Sequence, residues 1–278
     1  MTGPGKRTGI VLCGGRSSRM GRPKAWLPWF GRTMVEHVVE NLASAVDEIV
    51  VVTSKELDLP PLSARIVIDR TPELGPLAGI REGLAAAESE YALVTSVDAP
   101  YLSAEFARQM FAFGCAAAPL DEGRVQVLSA LYPSAAWRRA DELLSQGVRR
   151  PLALLEECDY KPVESSEFGR GATPSAWIGF NTPDAYLDAV RLRDPNATAE
   201  VELLGRAAKK AAQSRYRLPV GSLGELLAQL PESLSLTHEG RVAKSHLVSL
   251  GGRDLVRDLA VPIGPDERVS VIDALAGG

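Results

Sequence analysis

The sequence predicts an α/β sandwich with a mostly parallel sheet, followed by a smaller α+β unit. Two features of residues 1–190 carry the first prediction. Short β-branched runs alternate with amphipathic stretches, and the runs end in glycine, hydroxyl or carboxylate residues. Repeated strand–helix order calls for parallel pairing, and ligands meet such sheets at the carboxyl ends of the strands. A polar stretch holding Asp194-Pro195 then separates a second, shorter pattern of strands and helices.

Gly9-Ile10-Val11-Leu12 reads as a short buried strand. It runs into Cys13-Gly14-Gly15, where two glycines let the backbone turn sharply and approach a ligand with no Cβ in the way. Over 33–45, Met34, Val35, Val38, Val39 and Leu42 share one helical face. Glu48-Ile49-Val50-Val51-Val52-Thr53 is the continuous run that a buried parallel strand requires. Ile66-Val67-Ile68 is another strand, ending at Asp69, and Gly75-Pro76-Leu77-Ala78-Gly79-Ile80 opens a helix to about Glu88. A strand over 91–97 ends in Asp98-Ala99-Pro100. The glycine turn, Thr53, Asp69 and Asp98 therefore all fall at strand carboxyl ends.

Residues 115–180 are less regular. They predict a strand over 125–132, an amphipathic helix over 136–146 and a shorter helix from Arg149-Arg150-Pro151 through Glu157. Phe180-Asn181 ends a strand, and Thr182 with Pro183 caps and starts a helix. The polar run 191–196 reads as a linker. Beyond it come a strand over 200–204, a helix over 206–212 and a strand over 215–220. Ser222 and Glu225 form a capping box for a helix through Leu230. Runs 246–250 and 253–255 flank Gly251-Gly252 as a hairpin, and a last strand covers 269–272. These roughly 80 residues suffice for a core of their own.

The 278 residues are 45% hydrophobic and 24% charged, an ordinary globular balance. A formal net charge of −4 and the lack of a long basic run argue against nucleic-acid binding. Cys13, Cys115 and Cys158 are odd in number and far apart, which suggests neither a disulfide framework nor a zinc site. No apolar run reaches membrane-span length and the N-terminus has no signal-peptide core, so a cytoplasmic protein is expected.

The chemistry concentrates in Leu12-Cys13-Gly14-Gly15-Arg16-Ser17-Ser18-Arg19-Met20-Gly21-Arg22-Pro23-Lys24. After the glycine turn, N–H groups of small hydroxyl residues can form an anion-binding concavity. Arg19 and Lys24 follow at a reach suited to a polyphosphate. The stretch is neither G-x-x-x-x-G-K-[ST] nor G-x-G-x-x-G. It resembles, nearly letter for letter, the signature L-x-G-G-x-S-x-R-M-G-x-x-K of the nucleotidyltransferases, and within them the molybdenum cofactor guanylyltransferases (MobA-like).

That resemblance covers most of 7–190, with motifs in the family's order. Ser96-Val97-Asp98-Ala99-Pro100 resembles the family's C-D-x-P site, without its cysteine. Asp69 with Gly75-Pro76-Leu77-Ala78-Gly79 resembles D…G-P-L-A-G, and Phe180-Asn181-Thr182-Pro183 the late N-T-P motif. The resemblance implies a three-layer nucleotidyltransferase sandwich over 1–192. It implies transfer of GMP from GTP to molybdopterin, with Arg19, Lys24 and Asp98 as catalytic residues. Leu12, Cys13, Gly14, Gly15, Ser17, Lys24, Thr53, Asp69, Gly75, Pro76 and Leu77 would bind the nucleotide. Asp98, which facing a triphosphate is a natural Mg²⁺ ligand, would share that ion with Asn181. A cytidylyltransferase or other nucleotidyltransferase, or an inactive nucleotide-binding scaffold, remains an alternative.

After a linker at 193–197, residues 198–278 resemble something else. Leu247-Val248-Ser249-Leu250-Gly251-Gly252-Arg253, the Gly264-Pro265-Asp266-Glu267-Arg268-Val269 turn and the end at Gly277-Gly278 look like a ubiquitin-like β-grasp sulfur carrier, the molybdopterin synthase small subunit (MoaD-like). This implies a tail that is adenylated and thiocarboxylated, with the large synthase subunit and an activating enzyme as partners. Ile272-Asp273-Ala274-Leu275 departs from the family's hydrophobic-proline run before the tail.

Overall fold

The computed structural model describes residues 5–14, 20–169 and 174–274. The described residues form two compact units: one from 5–14 and 34–179, the other from 20–33 and 180–274.

The first unit is built on an eight-stranded sheet. Its strands are β1 (Thr8–Leu12), β2 (Glu48–Thr53), β3 (Arg65–Ile68), β4 (Tyr91–Ser96), β5 (Ala117–Asp121), β6 (Arg124–Val125), β7 (Ser129–Pro133) and β8 (Lys161–Glu164). The order is β8-β5-β7-β4-β1-β2-β3, with β6 paired to β5. Strands β4, β1, β2 and β3 run parallel in uninterrupted succession, while β7 is antiparallel to β4 and β5.

Helices cover both faces of this sheet. Ile10, Leu12, Val50, Val52 and Val94 point to one face, where they meet α2 (Pro76–Ala86), α4 (Trp137–Ser145) and α5 (Pro151–Glu157) through Leu77, Ile80, Leu84, Leu143 and Leu154. The intervening Val11, Val51 and Leu93 are equally buried. On that side lie α1 (Met34–Ala43) and α3 (Ala104–Ala112), with Met34, Val38, Leu42, Phe106 and Met110 buried. Burial on both faces is why the parallel strands read as unbroken apolar runs.

Helix α2 lies close against the strands because two of its residues have no side chain. A Cβ built on Gly83 would stand 2.5 Å from Ile10 Cγ2, and one on Gly79 3.3 Å from Leu12 Cδ2.

The second unit carries α6 (Pro183–Arg193) and a mixed five-stranded sheet of β9 (Thr198–Leu203), β10 (Arg215–Pro219), β11 (His246–Leu250), β12 (Asp254–Val256) and β13 (Arg268–Asp273). The order is β10-β9-β13-β11-β12, with β9 and β13 parallel and the other pairs antiparallel. Helices α7 (Gly205–Lys210) and α8 (Leu223–Leu227) complete it. Its core includes Val201, Leu203, Leu223, Leu226, Val248, Val261, Val269 and Val271. The capping box at Ser222 and Glu225 is formed, although α8 stops at Leu227. The glycine hairpin is formed too: Gly251 (φ 56°) and Gly252 (φ 73°) turn left-handed between β11 and β12.

Three details differ from the sequence reading. The single strand expected over 125–132 is a hairpin arm, β6, then a turn closed by Ser129 N–H to Gln126 O, then β7. Phe180-Asn181 is irregular backbone instead of a strand end. Arg191 to Arg193, expected in a linker, continue α6, because Tyr186, Leu187 and Val190 are buried at helical spacing.

Gly83→Ala would gain about 1 kcal/mol of helix propensity. Overlap with the buried Ile10 side chain costs up to about 3 kcal/mol. The expected outcome is net destabilisation, read as a lower denaturant midpoint at unchanged slope.

Candidate active site

In the first unit, four adjacent strand ends line up. The root of the glycine turn is tied on both sides: Val97 N–H donates to Leu12 O (3.1 Å), and Cys13 N–H donates to Val52 O (2.7 Å). Leu12 and Cys13 are buried, whereas Gly14 is exposed and a Cβ built on it meets nothing within 4 Å. Burial, and then the negative charge of Asp98, pushes the Cys13 thiol far up, so it stays protonated and non-nucleophilic. Gly15, Ser17 and Arg19 lie outside the described residues.

Thr53 closes β2 and is buried; its carbonyl accepts Asp69 N–H (2.7 Å), which joins the ends of β2 and β3. Asp69 Oδ1 accepts Thr71 N–H (2.9 Å), an Asx turn. Burial raises the Asp69 pKa and the Thr71 N–H opposes that rise. The other carboxylate oxygen faces the Gly79 turn of α2, where a Cβ would come within 3.8 Å. Gly75, in left-handed backbone (φ 84°), caps α2, and Pro76 takes its first position. The Leu77 side chain is wholly buried in the core, so only its backbone is available to a ligand.

Asp98 follows β4 and is buried. It does not cap the next helix: Ser103 does, its Oγ accepting Phe106 N–H (3.1 Å). The loop that carries Asp98 is pinned from α1. His37 Nε2 donates to Pro100 O (2.7 Å), and Asn41 Nδ2 donates to Leu102 O (2.9 Å). Gly179 lies against the carboxylate, where a Cβ would stand 2.8 Å from Asp98 Oδ1 and 3.2 Å from its carbonyl oxygen. Trp177, two residues earlier, is held by ring contacts to Phe106 (5.5 Å) and Phe168 (5.1 Å). Between β4 and β3 stand β1 and β2, so Asp98 and Asp69 end strands about 14 Å apart at roughly 4.8 Å per strand.

The second unit brings together the other two predicted residues. Lys24 opens a short 3₁₀ turn, Lys24–Trp26, and its Nζ donates to Asn181 Oδ1 (2.9 Å) and lies 5.7 Å from the Phe180 ring centroid. Thr182 caps α6, accepting Ala185 N–H at 3.2 Å, which sets the direction in which Asn181 enters.

Sequence reading missed Gly179, His37 and Asn41. Gly179 stands two residues before the Asn181-Thr182-Pro183 motif and was open to notice there. His37 and Asn41 sit among the residues of an amphipathic helix, where nothing local marks a bond to a loop about 60 residues away.

The chain is similar to known proteins over the same stretch. The family model described as the MobA-like NTP transferase domain matches residues 9–161. A "Probable molybdenum cofactor guanylyltransferase" of Bacillus cereus is 32% identical over 193 residues, covering 66% of this chain and 96% of the relative. One of the same name from Bacillus thuringiensis (strain Al Hakam) is also 32% identical, with the same coverage. The solved molybdopterin-guanine dinucleotide biosynthesis protein A of Archaeoglobus fulgidus shares the fold. Its TM-score is 0.57 at 22% identity, over 68% of this chain and 99% of that one. With the family match spanning more than half its length, the chain belongs to the MobA-like NTP transferase domain family and is a nucleotidyltransferase.

Proposed function

We propose that residues 1–192 transfer GMP from GTP to the phosphate of molybdopterin, releasing pyrophosphate in an Mg²⁺-dependent reaction, and that 198–278 are a fused sulfur carrier. Asp98 carries the first half of this reading. It is a buried carboxylate at the carboxyl end of β4, beside the root of the glycine turn, with the backbone of Gly179 close against its Oδ1. The names of the curated relatives support guanine and the pterin.

The donor set fits Mg²⁺. That ion takes oxygen ligands, usually one or two carboxylates with phosphate oxygens and water. Among the described residues no group of three His, Cys, Asp or Glu side chains forms a cage that would enclose a metal without substrate. Asp98 would hold the ion, with the Asn181 amide oxygen as a second donor. Asn181 Oδ1 already accepts from Lys24, and a carbonyl oxygen has two lone pairs. When bound, the ion neutralises charge on the α-phosphate.

The other roles fall to the chain itself. The residues of the glycine turn, Gly14, Gly15 and Ser17, bind the phosphates in this reading. Lys24 and Arg19 stabilise the negative charge that builds on the leaving pyrophosphate. Asp69 and the backbone of Gly75, Pro76 and Leu77 contact the nucleoside. The attacking phosphate monoester is already ionised at neutral pH, so the chain needs no general base.

The carrier reading is supported by the strand order of the second unit's sheet. In chain order it runs second, first, fifth, third, fourth, with first and last parallel at the centre, as in a β-grasp sheet. The Gly277-Gly278 tail on which it turns lies outside the described residues.

Pyrophosphate release with Mg²⁺ and molybdopterin, compared across GTP, CTP, ATP and UTP, tests the enzyme. The expected result is a preference for GTP, with Asp98→Ala reducing kcat at least ~100-fold. Preference for CTP would overturn the base assignment. No turnover with any nucleotide would favour a scaffold.

Gly179→Ala tests the space beside Asp98. We expect it to fold and to lose kcat at least ~10-fold, because a displaced ligand costs that much near the reacting atoms.

The carrier is tested by intact mass after incubation with a carrier-activating enzyme, ATP and a sulfur donor. Replacement of one oxygen by sulfur at Gly278, absent after deletion of Gly277 and Gly278, is expected. An unchanged mass would remove the carrier half of the reading.

A further inference from the structure

The segment that carries Lys24 is seated against the loop that leads into β13, residues 261–267. Arg22 donates to Glu267 Oε1 (2.5 Å) across 245 residues of sequence, with both side chains more than 90% buried. The other oxygen of Glu267 accepts Gly264 N–H (3.0 Å), which fixes the carboxylate inside its own turn. Around this pair the contact is tight. A Cβ built on Gly21 would stand 2.9 Å from Val261 Cγ2, and one on Gly264 would meet Pro28 and the Tyr186 hydroxyl. Tyr186 donates to Pro28 O (2.5 Å), and the Arg253 guanidinium lies 3.3 Å from the Trp26 ring centroid.

We propose that Arg22 and Glu267 are positioning residues for Lys24, coupling the loop that leads into β13 to the nucleotidyl-transfer chemistry. The inference rests on the proposed role of Lys24. Only Pro23 separates Arg22 from Lys24, in extended backbone (φ −62°, ψ 131°) with its φ locked by the ring. Fixing Arg22 therefore fixes where the next turn starts. That turn is held by Trp26 N–H to Pro23 O and Leu27 N–H to Lys24 O, both 3.1 Å. On its far side Ala25 and Leu27 are buried. The Lys24 ammonium leaves this anchored backbone and reaches Asn181. A buried charge that loses its partner is strongly unfavourable, so removing the Glu267 charge makes Arg22 seek water and releases the start of the turn.

The test uses the full-length chain. Glu267→Gln keeps the shape and removes the charge. We expect kcat for pyrophosphate release to fall ~10-fold, KM for GTP to change less than ~2-fold, and no further fall when the same change is made in a Lys24→Ala background. A merely structural pair would lower Tm while leaving kcat of the folded enzyme intact, or would multiply the Lys24→Ala loss; either result overturns the proposal. Arg22→Lys keeps the charge and loses the planar fork, and should give the same pattern at ~3-fold should Glu267→Gln fail to fold.

Amide hydrogen exchange at Trp26 and Leu27 reads the same device without turnover. Faster exchange in the variants supports it, and unchanged exchange overturns it. If the wild type is silent with every nucleotide, the transferase reading fails, and the exchange result still decides whether the pair holds the Lys24 turn.

Discussion

The carboxyl end of β1 is fixed by hydrogen bonds to both neighbouring strands, and the geometry of the first unit's site depends on that constraint. Val97 N–H and Cys13 N–H extend the parallel ladders one step past Leu12, so the chain leaves the sheet at Gly14 from its middle. The strand ends on either side then have defined places. Asp98 follows β4, and Thr53 passes its carbonyl to Asp69 across β2 and β3. Helix α2 is brought close by Gly79 and Gly83, and its first turn, Gly75 to Leu77, is set beside Asp69 by that packing. A row of candidate site positions thus follows from backbone pairing and two missing side chains.

What made this part of the fold legible is that its signals are local. A strand buried on both faces has to be β-branched throughout, and Glu48–Thr53 has the bounds that the sequence implies. The capping box at Ser222 and the cap at Thr182 are likewise written within four residues. Strands β5 and β8 were not legible for the opposite reason. Ala117, Ala118, Pro119 and Pro162 have no intrinsic preference for a sheet, and they are extended because each strand pairs with the other. The stretch at 125–132 has the composition of one strand, yet a turn at 126–129 breaks it into two.

The candidate site divides along the same line. Glycines, carboxylates and the lysine announce themselves by type and order. The groups that set their positions do not. His37 looks like one more member of a helix face, and only the fold reveals that it holds the loop after Asp98. Gly179 has the same character, since the need for a glycine there arises from the proximity of Asp98, a residue 81 positions earlier.

Arg22 extends this reasoning into the second unit. In the signature, Gly21 and Lys24 are fixed letters, while Arg22 and Pro23 occupy positions open to any residue. An open position is where a chain can attach the motif to something of its own. Here Arg22 is buried against Glu267, and the fixed Gly21 is pressed on Val261, so the segment with Lys24 shares its packing with the loop that leads into β13. Burial of an ion pair is a poor source of net stability, because desolvation offsets most of the attraction. Its distinctive property is that it tolerates few alternative geometries. A pair of this kind two positions from Lys24 therefore specifies position more than it adds stability, which is the quality that the role proposed for Lys24 at a leaving pyrophosphate requires.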